Sequence, residues 1–115
     1  MSTDPNCIFC KIVAGQIPAQ KVHEDDALVV FHDINPWAPV HVLIVPKVHV
    51  ASLAVAGPGH EPLLGRMLAL APRLMQQLGV TQGFRVVVNT GRDGGQEVDH
   101  LHMHVMGGPR PWARG

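Results

Sequence analysis

The chain has 115 residues, 46% of them hydrophobic and 16% charged, against about 25% charged in an average soluble domain. Nine Lys and Arg balance nine Asp and Glu, so there is no surplus of cations to neutralise a DNA or RNA backbone, and polymeric nucleic acid is excluded as a partner. This length predicts one domain over residues 1–115, and histidine, present eight times beside three Phe and no Tyr, is the residue in excess.

Residues 1–6 are polar without a basic start, and no apolar run is long enough for a signal segment or a membrane span, which predicts a cytosolic protein with no membrane partner. Ile8, Phe9, Ile12 and Val13 have the spacing of a short helix face over residues 7–14, with Gly15 as its stop. Cys7 and Cys10 lie in the same stretch, and in a reducing compartment such a pair points to metal or redox chemistry over a structural disulfide. A redox pair would follow a strand, and none precedes this one, so half a metal site or two free thiols remain.

Residues 20–24 and 27–31 flank the polar step Asp25-Asp26 as two antiparallel strands. Pro36 and Pro39 keep residues 35–39 out of a ladder, and residues 41–46, apolar on both faces, read as a central strand. Over residues 60–78 a stripe of Leu63, Leu64, Met67, Leu68, Ala71, Leu74, Met75 and Leu78 marks the main helix, with Pro62 in its first turn, Gly79 past its end and a kink expected at Pro72. A strand over 84–89, a Gly-rich turn over 90–96 and a strand over 98–106 complete the chain. Strands around one long helix and a short N-terminal helix predict an α+β fold with an antiparallel sheet.

In the last strand His100, His102 and His104 alternate with Leu101, Met103 and Val105, and a two-residue period puts the three imidazoles on one face. Such a row fits a polar strand face, a metal site given a further ligand, or nucleophilic catalysis at phosphorus. The turn before it holds Gly91, Gly94 and Gly95, whose backbone freedom allows N–H groups to converge on a phosphate.

The run Gly95-Gln96-Glu97-Val98-Asp99-His100-Leu101-His102-Met103-His104-Val105 resembles the signature of the histidine-triad superfamily. Ile8-Phe9-Cys10-Lys11-Ile12, Phe31-His32-Asp33-Ile34-Asn35-Pro36, Ala38-Pro39-Val40-His41, Gly107-Gly108 and Trp112 resemble its Hint branch. The resemblance implies a homodimer whose sheets join, and hydrolysis of purine nucleoside phosphoramidates or aminoacyl-adenylates through a nucleotidyl-histidine intermediate. It makes His102 the nucleophile, supported by His100 and His41, with His104 and the turn amides of Gly95, Gln96 and Glu97 on the α-phosphate. It implies a purine pocket of Ile8, Phe9, Ile12, Phe31, His32 and Ile34, with Asp33 on the ribose and Asn89 on the phosphate side. No catalytic metal is implied, but a structural zinc is, held by Cys7, Cys10, His49 and His100.

Two residues depart from the pattern: Glu97 stands where many Hint proteins have Ser, and Asp99 where an aromatic is common. A carboxylate about 5 Å from a phosphate oxygen, at an effective dielectric near 20, would cost about 3 kcal/mol. Other readings are a dinucleoside polyphosphate hydrolase, which Gly107-Gly108 and Trp112 argue against, a nucleotide-binding adaptor, and a zinc-binding structural dimer.

Overall fold

A computed structural model describes residues 4–113, and among them five strands form one antiparallel sheet. β1 (Lys21–Glu24) and β2 (Leu28–His32) form the expected hairpin, and β3 (Val40–Pro46) lies at the sheet's centre. β4 (Phe84–Val87) is an edge strand reached through β5 (Met103–Gly107), which gives the order β1-β2-β3-β5-β4. Two helices, α1 (Ile8–Val13) and α2 (Glu61–Gln77), lie in separate apolar clusters of the core.

Strand periodicity divides the core in two. Leu28, Val30, Val42, Ile44, Leu101, Met103 and Val105 pack with Met67, Leu70, Ala71, Leu74 and Met75 of α2. Val29, Phe31, Leu43 and Val45 cluster with Cys7, Phe9, Cys10 and Ile12 at α1. Burying each large side chain contributes about 1.5–3 kcal/mol. The register of β3 on β5, with His41 opposite Met106 and Leu43 opposite His104, puts these imidazoles on the α1 face.

The backbone differs from expectation at two strands. The strand predicted over 98–106 begins only at Met103, because the Leu101 N–H donates to the Val50 carbonyl (2.6 Å) and the His100 N–H to that of Val98 (2.8 Å). The imidazoles still alternate with the apolar residues along this irregular approach. The strand predicted over 84–89 ends at Val87, whose partner His104 stands one residue inside the start of β5.

α2 runs unbroken through Pro72, which is exposed, so the hydrogen bond that proline removes is one that water can replace. Arg66 fastens α2 to the β1–β2 turn through Asp25 (3.0 Å) and Asp26 (2.7 Å). Burial works against the ionised Asp25 carboxyl. The His23 side chain, the N–H groups of Ala27 and Leu28, and Arg66 outweigh it and hold that carboxyl well below the usual carboxylate range. No helix among the described residues is long and apolar enough to cross a membrane.

Candidate active site

A cavity of about 1210 Å³ opens on the α1 face of the sheet. α1 contributes Ile8, Phe9 and Ile12, the end of β2 and the loop after it contribute Phe31, His32, Asp33 and Ile34, and β5 with its approach contributes His104 and His102. Asn89, Gly95 and Glu97 complete the sequence-predicted lining. No Lys or Arg is among the lining residues, whereas two carboxylates, Asp33 and Glu97, are.

Hydrogen bonding to groups of fixed polarity settles which ring nitrogens carry protons. The His100 carbonyl can only accept, so His102 donates to it from Nδ1 (2.7 Å), and in the neutral ring the lone pair is then on Nε2. The Trp37 N–H can only donate, so His41 accepts it at Nδ1 (3.0 Å) and is protonated at Nε2. That Nε2–H donates to His104 Nδ1 (2.9 Å), so His104 carries its own proton on Nε2. The cavity thus holds a bare imidazole nitrogen beside an imidazole N–H donor, their rings 5.0 Å apart.

Both supporting imidazoles are held neutral. Burial pushes His104 down to about 4, the neighbouring His102 and His41 add to the effect, and Asp33 opposes it. Burial lowers His41 in the same way, against the pull of Asp33, whose Oδ2 lies 3.5 Å from His41 Nε2. His41 and His100 do not line the cavity; His41 acts on it through His104, and His100 through its carbonyl.

The glycine-rich turn corrects the expected phosphate cradle. Its amides are bonded inward: Gly95 N–H to the Arg92 carbonyl (3.1 Å), Gln96 N–H to that of Gly91 (3.0 Å), and Gly91 N–H to Gln96 Oε1 (2.9 Å). Gln96 does not line the cavity, since its side-chain NH₂ donates to the carbonyls of Ala51 (2.8 Å) and Val98 (2.9 Å). Only the Glu97 N–H is left for a ligand among the three amides named from the resemblance. The glycines serve the turn itself: Gly95 has φ +77, and a Cβ on Gly94 would overlap the Thr90 carbonyl.

Sequence reasoning missed Trp37, whose ring stacks at 15° on His104 with centroids 5.7 Å apart, and also missed the Ile17–Gln20 stretch of the wall. An aromatic between two prolines, four residues before His41, was the available signal.

A second constellation lies behind the cavity. Cys7 Sγ is 3.3 Å from His100 Nδ1, Cys10 Sγ is 3.3 Å from His49 Nδ1 and 3.6 Å from His100 Nδ1, and the two Nδ1 atoms are 3.2 Å apart. His100 donates from Nε2 to the Pro46 carbonyl (2.8 Å), so its Nδ1 is a lone pair turned to the thiols. A tetrahedral ion with bonds of about 2.0–2.3 Å would separate its ligands by about 3.3–3.8 Å, so the donor set fits a metal of that kind. The N–H groups of Asp4 and Cys10 approach Cys10 Sγ and Cys7 Sγ, each at 3.4 Å, as donors that suit thiolates.

The sequence and the fold have close parallels among known proteins. The chain is 58% identical over 104 residues to Protein HitA of Neisseria gonorrhoeae, covering 90% of this chain and 97% of that one. It is 43% identical over 102 residues to the purine nucleoside phosphoramidase of Escherichia coli K12, covering 88% and 86%. The crystal structure of a HIT family hydrolase from Legionella pneumophila superimposes with a TM-score of 0.88 at 44% identity, covering 91% and 95%. A Zn-bound histidine triad family protein from Mycobacterium smegmatis does so with a TM-score of 0.77 at 30% identity, covering 89% and 74%. Residues 14–110 match the HIT domain, a span that takes in the sheet, α2 and every imidazole of the row, and on this ground the chain belongs to the HIT family.

Proposed function

We propose that the protein is a hydrolase of purine nucleoside phosphoramidates or aminoacyl-adenylates, acting through a nucleotidyl-histidine intermediate. The observation that carries this reading is the bare His102 Nε2 beside the His104 N–H, in a cavity with no Lys or Arg among the described residues that line it. In the first step the His102 lone pair forms an N–P bond, and the bond from phosphorus to the leaving amine or acyl oxygen breaks, the amine taking a proton from solvent. In the second, water forms a P–O bond, the N–P bond breaks, and nucleoside monophosphate and a proton are released. His104 Nε2–H and the Glu97 N–H hold non-bridging oxygens, Asn89 lies on the phosphate side, and Asp33 accepts from the ribose. Ile8, Phe9, Ile12, Phe31, His32 and Ile34 enclose the purine.

The same cavity argues against dinucleoside polyphosphates. Each further phosphate would bring charge to a wall that, among the described residues, has two carboxylates and no cation. The reading is tested by rapid quench with labelled adenosine phosphoramidate and intact-mass measurement: an adenylylated chain is expected, and turnover without one would overturn it.

Glu97 is exposed, and Arg92 pairs with Asp93 (3.2 Å), so the predicted repulsion acts through solvent. At a water-like dielectric about 5 Å of separation leaves about 1 kcal/mol, so Glu97→Ser is expected to raise kcat/KM about fivefold, less at high salt. A drop in rate would instead make Glu97 a proton donor to the leaving group.

Zinc fits the second constellation, where Cys7, Cys10, His49 and His100 would hold it and it would supply cross-linking between α1 and the approach to β5. Metal analysis of untagged protein is expected to find about one zinc per chain. We read the chain as one cytosolic domain working as a homodimer. β4 is an edge strand with Phe84 41% exposed at its start, a row of backbone groups suited to a second copy. Sedimentation at micromolar concentration is expected to give twice the 12.4 kDa chain mass.

A further inference from the structure

His100 belongs to both constellations at once. Its ring presents Nδ1 to Cys7, Cys10 and His49, and its carbonyl accepts the Nδ1–H of His102 at 2.7 Å, the bond that keeps the His102 Nε2 bare. That carbonyl stands outside the β5 ladder, which begins at Met103 and cannot orient it. Two other contacts do. The ring is held by the Pro46 carbonyl (2.8 Å) and the thiols, and the N–H on the far side of the same peptide plane, that of Leu101, donates to the Val50 carbonyl (2.6 Å). Val50 directly follows His49, so one end of the peptide plane is carried by a member of the Cys/His centre and the other is tied to the chain neighbour of a second member.

The centre also seats the purine wall. The Cys7 side chain caps α1 by accepting the Cys10 N–H, and Cys10 lies within α1, between Ile8, Phe9 and Ile12. The Phe9 ring rests edge-on against both His100 (5.8 Å) and His102 (5.1 Å), so a shift of α1 is felt at the nucleophile.

We propose that the Cys7/Cys10/His49/His100 centre is a positioning device for catalysis, with His100 the residue through which metal occupancy fixes the tautomer of His102 and the seat of Phe9. This rests on the zinc and phosphoramidase readings above and goes beyond a cross-link that only stabilises the fold. A structural cross-link would change the unfolding midpoint alone, whereas this device changes the state of one imidazole in protein that is still folded.

The test compares zinc-loaded and chelator-stripped protein with His100→Ala, which loses the ligand but keeps the backbone carbonyl, and His100→Cys, which keeps a ligand of another kind. All are held below their unfolding midpoints and followed by ¹⁵N NMR of the His102 ring, calorimetric AMP affinity and turnover of adenosine phosphoramidate. Stripped protein and His100→Ala are expected to show a mixture of His102 tautomers, about tenfold weaker AMP binding and about 100-fold lower kcat/KM. His100→Cys with zinc should recover the single Nδ1–H tautomer and most of the rate. If stripped but folded protein keeps one His102 tautomer and an unchanged rate, or zinc-loaded His100→Cys does not recover that tautomer, the coupling is overturned while the zinc reading stands. Failure to take up supplied zinc overturns both. A zinc-dependent tautomer in a protein that turns over no phosphoramidate upholds the coupling and overturns the functional reading.

Discussion

Replacing His102 with Ala is expected to abolish the adenylylated intermediate and to lower kcat by on the order of 10⁴-fold or more, the scale seen when a covalent nucleophile is removed. AMP affinity should stay within about tenfold, because the lost atom attacks phosphorus and contributes little to ground-state binding. The Phe9 and His104 rings beside it remain, and so does the His41–His104 bond that leaves an N–H donor on His104 Nε2. Intact mass and single-turnover kinetics provide the check. If His102→Ala still forms the intermediate and His104→Ala does not, the two roles must be exchanged.

Acid is expected to destabilise the metal-free protein by about 2 kcal/mol between pH 7 and pH 4.5 through His104 alone. The sign follows from proton uptake. His104 titrates at about 4 when folded but at the ordinary imidazole value of 6.5 when unfolded, so between these values the unfolded chain binds the extra proton and stability falls as pH falls. His41 and His100, also lowered by burial, act in the same direction. Asp25 adds to this acid loss only below its ordinary value of 3.8, where the unfolded carboxyl takes up protons that the folded one still refuses, so it contributes little between pH 7 and 4.5. Urea unfolding at the two pH values is the measurement, and His104→Asn should show the smaller loss. An equal loss in that variant would move the effect to other groups.

Features that depend on side-chain period were readable in the chain. Alternation in residues 100–105 assigned each residue to its face, and the spacing of Ile8, Phe9 and Ile12 gave a helix that does line the cavity. What escaped depends on where backbone groups find partners. Nothing in Gly91, Gly95 and Gln96 as residue types tells whether their N–H groups point to a ligand or close the turn on itself, and they close it. The strand start at Met103 was equally hidden, because the Leu101 N–H is taken by Val50, fifty-one positions earlier in the chain. Trp37 passed as part of a proline-bounded loop, although its N–H sets the protonation of two imidazoles in series.

The two-sided packing of the last strand guards the chemistry against error in folding. A slip of one residue between β3 and β5 would turn His102 and His104 toward α2 and expose Met103 and Val105 on the cavity side. Two buried apolar side chains would be lost at about 1.5–3 kcal/mol each, and two imidazoles would meet a face that offers them no partner. Misregistered chains are thus unstable as well as inactive, so selection for a well-packed α2 face also proofreads the aim of the histidines, without any contact between that face and the substrate.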